Sequence, residues 1–170
     1  MLKPAVFLDR DGVINKDKGY VYKISDFEWI LDSREAIKYL NDKGYYVFVA
    51  TNQSGIARGY YTELDVTKLH NFINDELKII NAHIDDFFIS PYHPNNTTDY
   101  NNLSHFRKPD TGMLELAKNR WSFNKSNSFL IGDKDTDIEC AIKFGISGYL
   151  FKGGSLLQFI INSEKNSYLT

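Results

Sequence analysis

The stretch that decides the fold reads Ala5-Val6-Phe7-Leu8-Asp9-Arg10-Asp11-Gly12. Its first four residues are apolar, and a short apolar run bounded by turn signals is typical of a strand buried on both faces. Pro4 precedes the run, while two carboxylates and a glycine end it with a turn. We therefore expect a buried strand that carries Asp9 and Asp11 at its carboxyl end.

Strands and helices alternate along the rest of the chain. Apolar, β-branched and aromatic runs predict further strands at 45–50, 86–89, 128–131 and 148–151. Apolar residues at helical spacing predict helices at 34–43, 62–80, 111–120, 135–144 and 156–161. This alternation is typical of an α/β fold in which helices cover both faces of a central parallel sheet. Ligands bind such folds at the carboxyl ends of the strands, near the point where strand order reverses.

Length and composition limit the classes of protein that the chain could belong to. Its 170 residues predict a single domain over 1–170, with the composition of an ordinary globular protein. The single cysteine, Cys140, excludes a disulfide framework and a cysteine-rich metal site. A net charge of −2 gives no basic surface for nucleic acid, and no apolar run is long enough to span a bilayer. We expect a cytoplasmic protein, a monomer, with no nucleic-acid or membrane partner.

Polar residues gather at the ends of the predicted strands. Asp9 and Asp11 follow the first strand, Thr51 follows the second and Asp133 follows the fourth, while Lys108 lies shortly before the fourth unit. Turn chemistry could explain any one of them alone. All of them would meet at one edge of the sheet, and their chemistry is complementary, which favours a functional site.

These residue types together indicate phosphate chemistry. Asp9 and Asp133 would repel each other unless a cation lies between them, and hard oxygen ligands suit Mg²⁺. Lys108 and Thr51 would form a cradle for a phosphate group. A carboxylate can attack phosphorus and form an aspartyl-phosphate, and Asp11 could protonate the leaving alcohol and later activate water.

Four segments resemble the motifs of the haloacid-dehalogenase (HAD) superfamily of phosphatases. In chain order they are Phe7-Leu8-Asp9-Arg10-Asp11-Gly12-Val13-Ile14-Asn15, Thr51-Asn52-Gln53-Ser54-Gly55-Ile56-Ala57-Arg58-Gly59, Arg107-Lys108-Pro109 and Ile131-Gly132-Asp133-Lys134-Asp135-Thr136-Asp137. The first motif alone is weakly specific, but the set of four is specific and covers residues 5–155. The resemblance implies a Rossmannoid three-layer sandwich and, more narrowly, the branch that acts on heptose bisphosphates and histidinol phosphate.

The resemblance assigns a role to each residue of the predicted site. Asp9 would be the nucleophile and a Mg²⁺ ligand, and Asp11 the general acid/base and a ligand through its backbone carbonyl. Asp133 would be the third ligand from the protein. Thr51 and Lys108 would bind the transferring phosphoryl group. The residues expected to bind substrate are Asp17, Lys18, Gly19, Tyr20, Asn52, Gln53, Ser54, Arg58, Arg107 and Lys134.

Some of these residues also have structural interpretations. Arg107 could pair with Asp110 at the surface. Lys134 could be a solvated residue at a helix start, and Arg58 could equally be solvated. Asp137 is expected to orient the metal site or Lys108 rather than to bind the metal itself.

Residues 90–107, which we call the substrate loop, differ from part of the family. Many heptose-bisphosphate phosphatases carry a structural zinc ion here, bound by a Cys-x-His and a Cys-x-Cys pair. The matching positions of this chain are Ser90, Tyr92, Ser104 and Phe106, so all four ligands are absent. We expect no zinc, and a loop held by its own aromatic residues and prolines packed on the domain.

The spacing of the motifs leaves no room for a globular cap domain. About forty residues separate Asp11 from Thr51, and a predicted helix and strand use half of them. The next gap is taken by a helix, a strand and the substrate loop. Loops alone are therefore expected to cover the site and to select the substrate.

The leading functional hypothesis is a Mg²⁺-dependent phosphatase that removes the 7-phosphate of D-glycero-D-manno-heptose 1,7-bisphosphate, for nucleotide-activated heptose synthesis. Its partner would then be a small phosphorylated sugar. Histidinol-phosphate phosphatase shares the same motifs and is the nearest alternative. A nucleic-acid 3′-phosphatase is disfavoured because the chain has no basic stripe. A non-enzymatic phospho-aspartate switch would not need an acid/base two residues after the nucleophile.

Overall fold

The computed structural model describes residues 2–96 and 100–167, with side chains to residue 163. Its strands are β1 (Pro4–Leu8), β2 (Tyr46–Asn52), β3 (Asp86–Ser90), β4 (Asn124–Gly132) and β5 (Ser147–Leu150). Its α-helices are α1 (Ser33–Asp42), α2 (Glu63–Lys78), α3 (Gly112–Arg120), α4 (Asp135–Phe144) and α5 (Leu156–Ser167). Short 3₁₀ helices span Ile24–Asp26 and Asn101–Phe106. The predicted alternation of strands and helices is confirmed.

All five strands are parallel and lie in the order β3-β2-β1-β4-β5. β1 is therefore central, and the chain winds outward from it in both directions. Strand order reverses at β1, between β2 and β4, which is where α/β folds form their ligand sites. The carboxyl ends of β1, β2 and β4 are adjacent at this point.

Helices cover both faces of the sheet, which confirms the three-layer prediction. On one face, α1, α2 and α5 bury apolar residues such as Ile37, Ile73 and Leu156 against alternate positions of the strands. On the other face, α3 and α4 bury Leu114 and Phe144. Because both faces are covered, every residue of the run 5–8 is fully buried, as its apolar sequence requires.

β4 begins four residues before the predicted start at 128. The early segment is polar, yet Asn124 pairs with Pro4 and a register shift then follows before Val6. The hydroxyl of Ser128 accepts a hydrogen bond from the backbone N–H of Ala5 at 2.8 Å. Side-chain and backbone hydrogen bonds thus extend the strand where hydrophobicity gives no signal.

The substrate loop is more regular than its sequence predicts. Residues 101–106 form a 3₁₀ helix, where we expected no regular structure. Residues 97–99 lie outside the described part. Phe106 packs on the core face formed with α3, and Tyr100 packs on a small cluster around Tyr61. Aromatic packing of the loop on the domain is therefore observed for these two residues.

Connections between strands contain few regular elements in the described residues. Between β1 and β2 the regular elements are one 3₁₀ turn and α1, and between β2 and β3 only α2. Neither connection contains a second sheet or helical unit that could form a cap. No helix within 2–96 and 100–167 has the length and apolar character to cross a membrane.

Candidate active site

The strand ends and the segment after the second 3₁₀ helix enclose one polar cavity of about 360 Å³. This volume is in the range of small-molecule sites. Its lining residues are Asp9, Asp11, Asp17, Gly19, Tyr20, Thr51, Asn52, Gln53, Ser54, Tyr61, Arg107, Lys108, Lys134, Thr136 and Asp137. Twelve of these fifteen are residues that the sequence predicts for the site.

Asp9 directly follows β1 and is 7% exposed. Its Oδ1 accepts a hydrogen bond from the backbone N–H of Arg10 at 2.7 Å and lies 3.2 Å from the Lys108 ammonium. Burial, against the lowering effect of Lys108 and together with the carboxylates of Asp137, Asp11 and Asp133, raises the pKa of Asp9 to about 7. A bound cation would favour the ionised, nucleophilic form of Asp9.

Lys108 is 2% exposed and uses all three of its ammonium donors within the protein. Nζ donates to the carbonyl of Ala50 at 2.7 Å and contacts Asp137 at 2.5 Å and Asp9 at 3.2 Å. Burial would lower the pKa of Lys108, but Asp9 and Asp137 outweigh that effect and raise it. A phosphoryl group at this site would compete with Ala50 for one of the three donors.

Two side chains fix the position of Lys108. The Asn52 amide exchanges two hydrogen bonds with the backbone of Lys108, at 3.0 and 3.1 Å. Asp137 lies at the start of α4, where its Oδ2 accepts from the Lys134 backbone N–H at 3.1 Å and Oδ1 faces Lys108. A Cβ on Gly132 would lie 2.1 Å from that of Asp137, so this glycine leaves space for the carboxylate. The predicted orienting role of Asp137 agrees with this geometry.

The carboxylates of Asp9, Asp133 and Asp137 form a cluster in which one oxygen of each lies within 4.8 Å of the others. Oδ1 of Asp133 is buried without a hydrogen-bond partner. Burial first, and then the Asp137 carboxylate, raise the pKa of Asp133 above its usual value. A buried oxygen without a donor, among like charges, fits a hard divalent cation such as Mg²⁺. Because Lys108 and Lys134 occupy the oxygens of Asp137, Asp9 and Asp133 are the better ligands.

Asp11 is held by three side chains that donate to its carboxylate. The fully buried Arg10 donates to both oxygens at 2.9 and 3.0 Å. Asn15 donates to Oδ1 and Gln53 donates to Oδ2, each at 2.9 Å. Arg10 also donates to the carbonyl of Val21, which ties the loop after β1 to the site. The predicted acid/base therefore has a fixed side-chain orientation at the edge of the cavity.

The loop after β1 supplies one wall of the cavity. Asp17 accepts a hydrogen bond from the Gly19 backbone N–H at 2.9 Å. Gly19 and Tyr20 both have positive φ, of 76° and 53°, and a tyrosine in this region is uncommon. The ring of Tyr20 is 44% exposed and meets Tyr60 edge to face at 4.9 Å. The turn thus presents an aromatic ring beside the cavity.

Lys134 also lies at this wall. Its ammonium is 3.5 Å from Asp17. Burial would lower the pKa of Lys134, but Asp133, Asp9 and Asp17 raise it, so the side chain keeps its charge. Lys134 therefore faces the site rather than bulk solvent alone.

Arg107 lines the cavity and donates to the carbonyl of Tyr92 at 3.3 Å. The alternative pairing with Asp110 does not occur in the described ion pairs, where Lys143 lies 3.5 Å from that carboxylate. Burial and then the neighbouring Arg58 lower the pKa of Arg107. The positive charge of Arg58 thus acts on Arg107.

Two residues predicted to bind substrate do not line the described cavity. Lys18 is exposed and lies 3.1 Å from Glu28. Arg58 contacts Nε2 of His93 at 2.7 Å, so it joins the turn after β2 to the substrate loop. Substrate contact by Lys18 and Arg58 stays a prediction.

Sequence reasoning missed Tyr61 and Thr136 as cavity residues. Tyr61 follows the second motif, on a turn whose path the motif does not determine. Only the structure shows where Tyr61 lies: a Cβ on Gly55 would be 2.2 Å from the Tyr61 ring, so a glycine is required there.

Comparison with known proteins identifies the family. Residues 5–149 match the family described as polynucleotide kinase 3 phosphatase. A D-glycero-beta-D-manno-heptose-1,7-bisphosphate 7-phosphatase from Rhodopseudomonas palustris is 45% identical over 160 residues, which cover 93% of this chain and 88% of that protein. The chain belongs to the HAD superfamily of phosphatases.

Two further relatives of this HAD phosphatase are named heptose-bisphosphate phosphatases. A D-glycero-alpha-D-manno-heptose-1,7-bisphosphate 7-phosphatase from Campylobacter jejuni is 39% identical over 97% of this chain and 86% of its own length. The crystal structure of the D,D-heptose 1,7-bisphosphate phosphatase from B. bronchiseptica, complexed with magnesium and phosphate, has a TM-score of 0.77 and 27% identity. That alignment covers 94% of this chain and 86% of the other. The family resemblance predicted from the four motifs is confirmed.

Proposed function

We propose that this HAD phosphatase hydrolyses the 7-phosphate of D-glycero-D-manno-heptose 1,7-bisphosphate with Mg²⁺, through an aspartyl-phosphate. The observation that carries the proposal is the buried Asp9 beside Lys108 and the acidic cluster, at the wall of a cavity that also contains Asp11. The similarity to heptose-bisphosphate phosphatases over nearly the whole chain supports the choice of substrate.

The reaction begins with attack of the Asp9 carboxylate on the phosphorus of the 7-phosphate. The bond between phosphorus and the C7 oxygen breaks, and Asp11 donates its proton to that oxygen, which leaves as the sugar alcohol. Water then attacks the phosphorus of the aspartyl-phosphate while Asp11 accepts the proton. Inorganic phosphate is released and the Asp9 carboxylate is regenerated.

The metal would be held by the side chains of Asp9 and Asp133, with the backbone carbonyl of Asp11 as a third ligand. Mg²⁺ there would supply the positive charge that the carboxylates and the phosphoryl oxygens share. Thr51 is 1% exposed at the end of β2 and lines the cavity. With Lys108, it would orient the transferring phosphoryl group.

The remainder of the substrate would contact the cavity walls. Arg107 has no acidic partner among the ion pairs of residues 2–96 and 100–163, and it lines the cavity. We assign Arg107 and Lys134 to the phosphate that is not cleaved, because two cations beside an acidic metal site suit a bisphosphate. Tyr20, Asn52 and Ser54 would contact the sugar.

Histidinol phosphate is the first alternative substrate, since the same motifs serve both reactions. A 3′-phosphorylated nucleic acid is the second, because the matching family is described by that activity. The net charge of −2 weighs against it. One domain over 1–170, a monomer, a cytoplasmic location and the lack of zinc and of nucleic-acid or membrane partners stay predictions from the sequence.

The decisive experiment measures phosphate release from both anomers of heptose 1,7-bisphosphate, from histidinol phosphate and from a 3′-phosphorylated oligonucleotide, with Mg²⁺ and with EDTA. We expect the highest kcat/KM on a heptose bisphosphate and loss of turnover in EDTA. Asp9→Asn should abolish turnover and keep the fold by circular dichroism. An equal or higher kcat/KM on histidinol phosphate or on the oligonucleotide would overturn the proposed substrate.

A further inference from the structure

The amide of Gln53 connects two residues of the proposed reaction. Its Nε2 donates to Oδ2 of Asp11 and to Oγ1 of Thr51, both at 2.9 Å. Its Oε1 accepts a hydrogen bond from the Tyr61 hydroxyl at 2.7 Å. Gln53 is 2% exposed and Tyr61 is 6% exposed, so water does not replace these bonds. Every polar atom of this amide is thus engaged, on one side by the acid/base and on the other by Tyr61.

The Tyr61 hydroxyl decides which way the Gln53 amide faces. The ionised Asp11 carboxylate can only accept, so it requires the NH₂ end of the amide. That orientation leaves Oε1 buried, and a buried acceptor without a donor is destabilising by about 1–3 kcal/mol. Tyr61 supplies the donor. Burial raises the pKa of Tyr61 to about 12, so the hydroxyl keeps its proton.

Packing fixes the Tyr61 ring in place. The ring stacks on Tyr22 with centroids 4.9 Å apart and an interplanar angle of 18°. It belongs to a small apolar cluster with Ile56 and Val66. A Cβ at Gly55 would lie 2.2 Å from the ring and 2.8 Å from the hydroxyl oxygen, so the turn after β2 is shaped around it.

We infer that Tyr61 is a positioning residue for the acid/base. Through Gln53 it fixes the Asp11 carboxylate at the place where the leaving oxygen takes up its proton, without touching the substrate's phosphorus. This inference rests on the proposed function, because it assigns a role within that reaction. It predicts that loss of the Tyr61 hydroxyl lowers kcat/KM more for a leaving group that needs a proton than for one that does not.

The test compares leaving groups in the variant Tyr61→Phe. An alkyl phosphate, such as the heptose bisphosphate, expels a strongly basic alkoxide that needs proton donation, whereas p-nitrophenyl phosphate expels a stable anion. The quantity compared between the two substrates is kcat/KM, which reports the steps up to phosphoryl transfer and excludes hydrolysis of the aspartyl-phosphate. We expect a loss of about tenfold for the alkyl phosphate, the equivalent of one buried hydrogen bond, and less than twofold for p-nitrophenyl phosphate.

Tyr46→Phe is the matched control, because it removes a hydroxyl at the start of β2, the end of the strand away from the site. It should leave both substrates within twofold of the wild type. In a second variant, Gln53→Ala, we expect the same dependence on leaving group. Adding Tyr61→Phe to that variant should cause no further loss, since the two act as one unit.

The outcomes separate the inference from the proposed function. Equal losses on both substrates, or no loss on the alkyl phosphate, would overturn the positioning role while leaving the phosphatase activity in place. Additive losses in the double variant would also overturn it. A wild-type protein that releases phosphate from neither kind of ester would instead overturn the proposed function itself, and this inference with it.

Discussion

The ammonium group of Lys108 lies between the carboxylates of Asp9 and Asp137 in a site that is nearly closed to water. Removing one partner of a buried ion pair leaves the other charge uncompensated, which costs about 3–5 kcal/mol, whereas an exposed pair is worth about 1 kcal/mol at most. Lys108 has two such partners. It therefore contributes to stability as well as to phosphate binding.

At the residue scale we predict that Lys108→Met lowers the free energy of unfolding by about 3 kcal/mol and abolishes turnover. Asp9 and Asp137 then face each other without a cation. Lys38→Met is the matched control, since Lys38 pairs with Asp42 on the exposed side of α1. It should change the free energy of unfolding by less than about 1 kcal/mol. Urea unfolding followed by circular dichroism, without Mg²⁺, measures both, and equal losses would contradict the prediction.

Residues at strand ends could be predicted from the strand pattern itself, whereas residues on turns were predicted only through the family resemblance, as Tyr20 was, or were missed, as Tyr61 was. Asp9 and Asp133 directly follow apolar strands, and a parallel sheet places the carboxyl ends of neighbouring strands together. Tyr61 lies ten residues after Thr51, beyond a turn whose path depends on packing. The same limit applies to Gln53, which the motif marks as a substrate contact but which is turned toward Asp11 and Tyr61.

Polar contacts of two arginines hold the substrate loop in place. Arg58 contacts His93 at 2.7 Å, and Arg107 donates to the carbonyl of Tyr92. Burial, together with Arg58 and Arg107, lowers the pKa of His93. The turn after β2 and the loop after β3 are thereby joined across the mouth of the cavity.

At the scale of elements we predict that His93→Ala loosens this junction. Arg107 belongs to the same loop, so KM for the bisphosphate should rise about tenfold, the equivalent of about 1.4 kcal/mol. The kcat should stay within twofold, because Asp9 and Asp11 lie on the strand ends. His83→Ala is the control, since its exposed ring lies beside Asp85, away from the cavity. Steady-state kinetics measure KM and kcat for both variants, and an unchanged KM for His93→Ala would refute the role of the junction.

Elements were predictable where hydrophobicity alone determines them. The apolar cores of all five strands follow from their sequence, because both faces of the sheet are covered. The polar start of β4 and the 3₁₀ helix at 101–106 depend on tertiary contacts instead. Asn124 pairs across the sheet with Pro4, and Phe106 packs on α3. Neither contact leaves a periodic pattern in the sequence.

At the scale of the whole molecule, the fold buries a histidine of the helix layer beside the arginine that holds the acid/base. His70 of α2 is 4% exposed, its ring stacks on Phe87 at 4.2 Å, and Nε2 lies 3.4 Å from the Arg10 guanidinium. Arg10 in turn donates to Asp11. Burial, and then the charge of Arg10, lower the pKa of His70 well below its ordinary value. The helix layer therefore depends on a histidine that must stay neutral.

This arrangement predicts how stability depends on pH. Below about pH 6.5 the unfolded chain binds a proton at His70, while the folded protein does not. The contribution of His70 to stability is therefore complete above that pH and decreases as the pH falls below it. Between pH 7.5 and 5.5 the difference in unfolding free energy between the wild type and His70→Gln should shift by about 1 kcal/mol against the wild type. The difference isolates His70, because every other titrating group is common to both proteins. Guanidinium titrations of both proteins at the two pH values measure this difference. A constant difference for His70→Gln would mean that the folded protein protonates this ring as readily as the unfolded chain.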